Sequence, residues 1–523
     1  MQDKFELGKL LWKGCNQIRS GEVSIKIHEA QPYLIGFIFF KFLSDNIEKT
    51  VNEEIINKTK EYKEDPNLRY KNIKDSKYYD DIKKATIDYC GYFIEYEDTF
   101  RSIIDDCDKK NEEQVIARLS KAFKNIEDST IGRDSNDEFS GLFSNVKVDS
   151  SLLGSSTTEQ TTNILAMLKQ LDIPEMNLDL IKKNDILGDT YEFLISKFAS
   201  ESGEKAGEFY TPSFVSELLA KIVTKDIDSA AKIYDPTCGS GSLLIKVKNH
   251  LSDIGKLMGQ EKNRSTYNMA RMNLLLHNIQ YHDFSIKCGD TLTNNIFEKE
   301  KGQIDLIVAN PPFSLIWKPD EVKSDPRFNE YPKMAPKSTA DFAFIQHMIY
   351  MLKEGGRCAV ILPHGVLFRS NAEYHIRKYL VGYKKYLRAV IGLPANMFFN
   401  ASIPTCILVF EKTTSDEDIL FIEGSKEFFK DKKKNIMLDE HISKIFDTYN
   451  HKKTIDKFSR LVSLKEIEEN DFNLNITRYI DTFEEEEEID INDINQKIKD
   501  IDQQLIDVEK EIQDMILELE ETE

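Results

Sequence analysis

The chain has 523 residues, of which 40% are hydrophobic and 10% aromatic, a composition that supports sizeable cores and about three domains. Its seven scattered cysteines lack a Cys-x-x-Cys pair and its nine histidines lack ligand spacing, so we expect neither disulfides nor a metal site. We also expect no signal or membrane-spanning segment, and therefore a cytoplasmic protein without membrane contact. The net charge is −20, of which residues 484–523 contribute −14, so binding to DNA would require a local basic face or a partner.

The N-terminal part of the chain has a helical period. Ile35, Ile38, Phe39 and Phe42 fall on one helical face, and the surrounding sequence is charged and poor in glycine. We find no catalytic constellation in it. The pattern predicts a helical N-terminal domain over residues 1–165.

Residues 166–415 instead alternate short β-branched runs with longer amphipathic stretches. This pattern predicts an α/β fold with a seven-stranded, doubly wound, Rossmann-like sheet, in which ligands bind at the carboxyl ends of the strands. The short Pro394–Pro404 connection predicts an antiparallel last strand. The predicted strands are 231–235, 256–261, 284–290, 304–309, 357–362, 387–393 and 405–411.

An aromatic turn opens this domain. Thr211 and Pro212 are a plausible N-cap and first-turn pair for a helix running to Val223. Phe209 and Tyr210 can serve as core residues; the functional interpretation is that the turn closes over the amino-acid end of a cofactor. The candidate residues are Glu208, Phe209, Tyr210, Thr211, Pro212 and Ser213.

A glycine-rich turn follows the first predicted strand. Gly-x-Gly at a strand-to-helix turn allows close approach of the backbone to a ligand and leaves amides free at a helix start. The third glycine of a dinucleotide fingerprint is missing, which disfavours a pyrophosphate. The candidate binding residues in this turn are Asp235, Gly239, Ser240, Gly241 and Ser242.

Acidic residues end the next two predicted strands. Glu261, 22 residues beyond Gly239, can accept hydrogen bonds from both hydroxyls of a ribose. Asp290 can accept one from the amino group of an adenine. Either acid alone is better explained by a surface position or a helix cap than by a ligand contact, but three such features at successive strand ends predict a nucleoside site.

The fourth predicted strand runs into Asn310-Pro311-Pro312-Phe313. Neither proline has a backbone N–H, so the turn keeps its carbonyl groups available as acceptors. An amide oxygen and a carbonyl oxygen can together accept both hydrogens of an exocyclic amino group, and Phe313 offers a flat face for stacking. The matching substrate is an amino group on a base that has been extruded from its helix.

The rest of the chain offers three further features. A segment with five basic residues, 317–337, is long enough for a loop that folds over substrate. Residues 416–483 form a small extension. In the acidic segment 484–523, apolar residues alternate at spacings of three and four, which predicts a coiled-coil helix for partner binding. A helix that folds back onto its own domain is the alternative. The apolar positions are Ile491, Ile494, Ile498, Ile501, Leu505, Val508, Ile512, Met515 and Leu519.

These motifs, in this order, resemble those of the modification subunits of type I restriction–modification systems, a family of adenine-N6 DNA methyltransferases. The resemblance spans nearly the whole chain. It includes Ala340-Asp341-Phe-Ala-Phe-Ile-Gln-His347 and Gly355-Gly-Arg-Cys-Ala-Val-Ile-Leu-Pro-His-Gly365, besides the segments above.

The resemblance implies a function and a mechanism. S-Adenosylmethionine would be the cofactor, the Asn310 amide and the Pro311 carbonyl would take the two hydrogens of the adenine amino group, and Phe313 would stack on the flipped base. Methyl transfer would be direct, without a covalent intermediate. The implied partners are double-stranded DNA, a specificity subunit that contacts two copies of this chain, and a restriction subunit.

Two rival functions stay open at this point. Asn-Pro-Pro-aromatic motifs also serve methyltransferases that act on RNA bases or on glutamine amides of proteins. A methylase-like scaffold without turnover is the non-enzymatic alternative.

Overall fold

The computed structural model describes residues 2–19, 26–107, 114–176, 186–201, 211–398, 402–415, 418–431, 434–482 and 491–520. Its N-terminal region is helical, as the sequence predicts. The helix Ile27–Lys49 continues into a π-helical turn, Thr50–Ile56, and lies at the centre, because Phe37, Ile38, Phe39 and Phe40 are all fully buried. The other α-helices here are Gln2–Arg19, Lys60–Lys63, Tyr79–Cys90, Phe100–Cys107, Val115–Asp128, Asn136–Phe139, Thr157–Leu171 and Ile186–Glu201.

A mixed, mostly parallel sheet follows. It contains all seven predicted strands: β1 (Ser229–Asp235), β2 (Asp253–Glu261), β3 (Phe284–Cys288), β4 (Ile304–Ala309), β5 (Leu352–Pro363), β6 (Leu387–Leu393) and β7 (Thr405–Glu411). These strands lie in the order β6-β7-β5-β4-β1-β2-β3. As predicted, β7 is antiparallel to its neighbours, and the α/β fold class is confirmed.

The predicted number of strands is too low. β8 (Ile419–Glu423) pairs in parallel with β6, and β11 (Ser459–Val462) pairs antiparallel with β8, so the sheet has nine strands. Both additions lie beyond residue 415 and are only five and four residues long, too short for a clear alternation of apolar residues. A separate hairpin joins β9 (Phe429–Asp431) to β10 (Lys434–Ile436).

Helices cover both faces of the sheet, so the central strands are buried on both sides. In β5, Ala359 and Ile361 belong to one apolar cluster, whereas Cys358 and Val360 belong to another. The first cluster is continuous with the core of the N-terminal helices. The helices of this part are Ser213–Val223, Ser242–Asn249, Arg264–Leu276, Pro326–Asn329, Asp341–Met351, Ala372–Lys378, Asp439–Asn450 and Leu464–Glu469.

The strand order reverses beside β1, whose neighbours are β4 on one side and β2 on the other. A crevice opens at the carboxyl ends of the strands where such a reversal occurs. The registers place those ends side by side, since Asp235 pairs with Gly259 and Glu261 with Cys288.

Residues 481–523 form a second unit, in which the helix Ile491–Glu520 confirms the predicted C-terminal helix. The heptad positions whose side chains the structure describes are between 50% and 62% exposed: Ile498, Ile501, Leu505, Val508, Ile512 and Met515. Within the described residues, no helix is both long and apolar enough to cross a bilayer.

Candidate active site

The glycine-rich turn joins β1 to the helix Ser242–Asn249. Gly239 and Gly241 have φ angles of +53° and +78°, in the left-handed region that favours glycine. The Gly241 N–H donates to the Cys238 carbonyl at 2.7 Å. The hydroxyl groups of Ser240 and Ser242 are buried and lie 3.0 Å apart. The turn is therefore a tightly held element that precedes a helix N-terminus.

Glu261 contacts this turn directly. One carboxylate oxygen accepts from the Gly239 N–H at 3.1 Å, and the other accepts from the Asn263 N–H at 2.7 Å. A carboxylate has about four acceptor positions, which makes Glu261 a candidate acceptor for a ligand hydroxyl group. The end of β2 and the glycine turn thus form one surface.

Asp290 lies at the end of the adjacent strand. Its Oδ1 accepts from the Leu292 N–H at 3.0 Å, and its Oδ2 accepts from the Lys262 ammonium at 2.8 Å. The Lys262 side chain is 70% exposed, so this ion pair is a weak one that a ligand amino group can replace.

Asp235 is the deeply buried acid of the site. It is 2% exposed, and its Oδ1 accepts from the Thr237 N–H at 2.9 Å. Burial raises the pKa of Asp235 to about 7, and the nearby Glu261 adds to this increase. The charge of Asp235 therefore changes close to neutral pH.

Asn310 is anchored by the segment that opens the domain. Its Nδ2 donates to the Thr211 hydroxyl at 3.0 Å, which fixes the orientation of the amide. Its Oδ1 is buried, and no described group donates to it. Buried amide oxygens are rarely left without a partner, so this atom is a candidate acceptor for a ligand.

The role of Thr211 differs from the predicted N-cap. Pro212 occupies the N-cap position, and the helix Ser213–Val223 ends at Val223, as predicted. The Thr211 hydroxyl instead accepts a hydrogen bond from Asn310, 99 residues further along the chain. The predicted residues Glu208, Phe209 and Tyr210 lie outside the described residues.

The Asn-Pro-Pro-Phe turn ends in an aromatic pair that the sequence analysis did not find. The Phe313 ring lies 5.6 Å from the Phe398 ring, at an interplanar angle of 89°. Phe313 is half-buried, and Phe398 is 3% exposed. The long connection between these residues gives no local sequence signal for the contact.

The basic segment after this turn is not a uniform DNA-facing loop. Lys318, Lys323, Lys333 and Lys337 are exposed, whereas Arg327 is only 1% exposed. Arg327 donates to the Thr291 and Leu292 carbonyls, at 2.6 Å and 2.8 Å. Arg327 therefore faces the protein interior, unlike the four lysines of the segment.

Arg327 belongs to a buried polar cluster instead. Its Nη1 donates to His347 Nδ1 at 3.0 Å, and the Tyr234 hydroxyl lies 3.1 Å from His347 Nε2. Burial, reinforced by the Arg327 charge, lowers the pKa of His347 well below its usual range, so the imidazole is neutral. The cluster fastens the segment to the end of β1, which supports the glycine turn.

Comparison with known proteins identifies the family. The sequence profile described as N-6 DNA Methylase matches residues 182–488, and the HsdM N-terminal domain profile matches residues 7–171. The MpnII type I restriction enzyme methylase subunit of Mycoplasma pneumoniae is 37% identical over 510 residues, which cover 94% of this chain and 92% of that protein. The chain belongs to the N-6 DNA methylases.

Structural similarity agrees with this assignment. A type I restriction–modification methyltransferase subunit from Streptococcus thermophilus is 38% identical, with a TM-score of 0.83 over 92% of this chain and all of that one. A modification subunit of a type I restriction enzyme from Vibrio vulnificus shares the fold at 18% identity, with a TM-score of 0.61 over 91% of this chain and 97% of that one.

These similarities confirm the predicted family. The chain is a type I methylase subunit and an adenine-specific DNA methyltransferase, and the rival RNA, protein and scaffold functions are not favoured.

Proposed function

We propose that this methylase methylates N6 of a flipped-out adenine with S-adenosylmethionine as cofactor, in a complex whose specificity subunit selects the DNA site. The observation on which this proposal chiefly rests is the Asn310 amide. Its nitrogen donates a hydrogen bond to the Thr211 hydroxyl, while its buried oxygen has no donor among the described residues. Such an oxygen can accept a hydrogen bond from an exocyclic amino group.

The residues at the strand ends suit the cofactor. Glu261 would accept from the ribose hydroxyls, Asp290 from the adenine amino group, and the turn containing Gly239 and Gly241 would bring the backbone close to the ligand. Glu208, Phe209 and Tyr210, together with Thr211, Pro212 and Ser213, would close over its amino-acid end. When bound, S-adenosylmethionine supplies an electrophilic methyl group on a sulfonium ion.

The residues of the chain contribute mainly orientation. Asn310 Oδ1 and the Pro311 carbonyl would each accept one hydrogen of the adenine amino group, which directs the nitrogen lone pair away from both acceptors. Pro312 fixes the turn, since its φ angle is restricted. Phe313 would stack on the base, a contact worth about 1–3 kcal/mol in related stacking platforms. Holding the reacting groups in alignment accounts for most of the rate enhancement in this scheme.

Assembly with partners follows from the charge and from the C-terminal helix. The net charge of −20 disfavours unaided DNA binding, and the exposed heptad stripe of the helix Ile491–Glu520 requires another helix. We assign that place to a helix of the specificity subunit. Two copies of this chain would join one such subunit, and a restriction subunit would complete the complex, which would act on DNA in the cytoplasm.

The test is a methylation assay with labelled cofactor on DNA, RNA and protein, using the complex co-expressed from this gene and its genomic neighbours. The wild-type complex should label adenine N6 in DNA alone. Asn310→Ala should keep cofactor binding and lose methylation, while Ser324→Ala, which changes an exposed hydroxyl in the segment 317–337, serves as the control. Labelling of RNA or protein, or an active Asn310→Ala complex, would refute the proposal.

A further inference from the structure

The catalytic turn ends at a residue in an unusual conformation. Ser314, directly after Phe313, has a φ angle of +53°. A residue with a Cβ atom in the left-handed region costs roughly 1–2 kcal/mol and persists only where its surroundings hold it. Because Pro311 and Pro312 have no N–H to donate, the turn depends on contacts further along the chain.

Asp341 supplies the contact that holds Ser314. Its Oδ1 accepts from the Ser314 N–H at 2.9 Å, and its Oδ2 accepts from the Thr339 hydroxyl at 2.8 Å. The carboxylate is 0% exposed and begins the helix Asp341–Met351, whose N-terminus favours a negative charge. The next residue of the turn is held by the same element, since the Ala340 N–H donates to the Leu315 carbonyl at 2.9 Å.

Arg369 neutralises this buried carboxylate. Its Nη1 lies 2.8 Å from Asp341 Oδ2, and its Nη2 lies 3.4 Å from the Ser314 hydroxyl. A buried carboxylate is costly unless it is paired and hydrogen-bonded, and both conditions are met here. Arg369 thus contacts both Asp341 and Ser314.

The turn after β5 is shaped to admit this arginine. A Cβ atom on Gly365 would lie 2.5 Å from Arg369 Nε, so a larger residue at this position would displace the guanidinium. Arg369 also lies 3.3 Å from Glu373, which is 1% exposed. Burial raises the pKa of Glu373 to about 7, so this second acid is only partly ionised in neutral solution.

We propose that Asp341 and Arg369 are positioning residues for methyl transfer: the pair holds Ser314 in its left-handed conformation and thereby fixes Asn310 and Phe313 against the target base. The inference rests on the proposed function, because it concerns the residues that hold the catalytic turn in place. Both residues contact Ser314, so their loss would act on the catalytic step through the geometry of the turn.

The consequence is specific to the chemical step. A displacement of about 1 Å in a reacting group costs up to about 100-fold in rate. The cofactor residues Gly239 and Glu261 are held by β1 and β2, through contacts that do not involve Asp341 or Arg369. Loss of the pair should therefore lower kcat and leave the Kd for S-adenosylmethionine unchanged.

The experiment compares Asp341→Asn, Arg369→Met, Arg369→Lys and the double variant Asp341→Asn/Arg369→Met in the assembled complex. The control is Glu411→Gln, because Glu411 forms an ion pair with Arg357, at 2.9 Å, in the middle of β5 rather than beyond its carboxyl end. The readouts are kcat on DNA, the Kd for S-adenosylmethionine and the thermal unfolding midpoint.

We expect Asp341→Asn and Arg369→Met to lower kcat about 10- to 100-fold, with an unchanged Kd. Arg369→Lys, which keeps the charge, should lose less, and the double variant should be no slower than the slower single variant. Should Asp341→Asn fail to fold, the Arg369 pair of variants gives the same test, since Arg369 is one-third exposed.

Two results would overturn the inference. The first is a kcat of Arg369→Met within twofold of that of Glu411→Gln, which would make the pair merely structural. The second is a Kd that weakens in proportion to the loss of rate. A wild-type complex that methylates no DNA would instead overturn the proposed function, and the inference with it.

Discussion

The hydrogen bond from Asn310 to Thr211 predicts a defined defect when the Thr211 hydroxyl is removed. Thr211→Val keeps the side-chain shape but cannot accept from Asn310 Nδ2, which lies 3.0 Å away. The amide then loses the contact that sets its orientation. A neutral hydrogen bond contributes about 0.5–1.5 kcal/mol, which corresponds to a roughly 2- to 12-fold change in the population of the correct amide orientation.

Single-turnover methylation of DNA by the assembled complex measures this effect. At saturating S-adenosylmethionine, the rate should fall about 2- to 12-fold for Thr211→Val. Thr211→Ser keeps the hydroxyl and should retain most of the rate. The reasoning is refuted if Thr211→Val reacts as fast as the wild type, or if its only defect is weaker cofactor binding.

Three further outcomes are expected. Glu261→Ala should weaken S-adenosylmethionine binding by more than about tenfold in calorimetry, because charge-assisted hydrogen bonds contribute about 1.5–3 kcal/mol each. Glu261→Gln keeps one acceptor oxygen and should lose less affinity. A Glu261→Ala complex that binds S-adenosylmethionine as tightly as the wild type would contradict the assignment. Asp235→Asn should raise the thermal unfolding midpoint more at about pH 8 than at about pH 5: the folded-state pKa, about 7, lies above the ordinary 3.8, so ionisation of the buried acid costs the wild type stability as the pH rises towards 7. A pH-independent difference between variant and wild type would show that this acid does not titrate in that range. Deletion of 484–523, or Ile501→Glu with Val508→Glu on the exposed stripe, should abolish co-purification with the specificity subunit, whereas Gln503→Glu, outside the heptad positions, should not; intact assembly of the deleted chain would refute the assigned role of the helix.

The fold could be predicted from local patterns because the decisive signals are short-range. β4 reads Ile-Asp-Leu-Ile-Val-Ala, a run typical of a strand buried on both faces, and the residues that end the parallel strands necessarily meet at one edge of the sheet. The sequence alone therefore predicts that Asp235, Glu261 and Asn310 lie at the same edge of the sheet. β8 and β11 escaped prediction because four- and five-residue strands lack a readable period.

The supporting contacts of the site could not be predicted, because they join distant residues. Ser314 meets Asp341 across 27 positions, and Arg327 meets His347 across 20. Composition alone does not distinguish a buried arginine, such as Arg327, from the exposed lysines of the same segment. Its planar guanidinium, with five donors, suits the carbonyl-lined position that it occupies.

The central claim is that the Asn310 turn and the Glu261 surface belong to one site. A crystal structure of the complex with S-adenosylmethionine, or with its demethylated product, measures this directly. The account predicts that the ribose hydroxyls lie on Glu261 and that the sulfur atom lies beside the Asn310 amide. A cofactor bound with its sulfur atom directed away from Asn310, or held without Glu261, would contradict it.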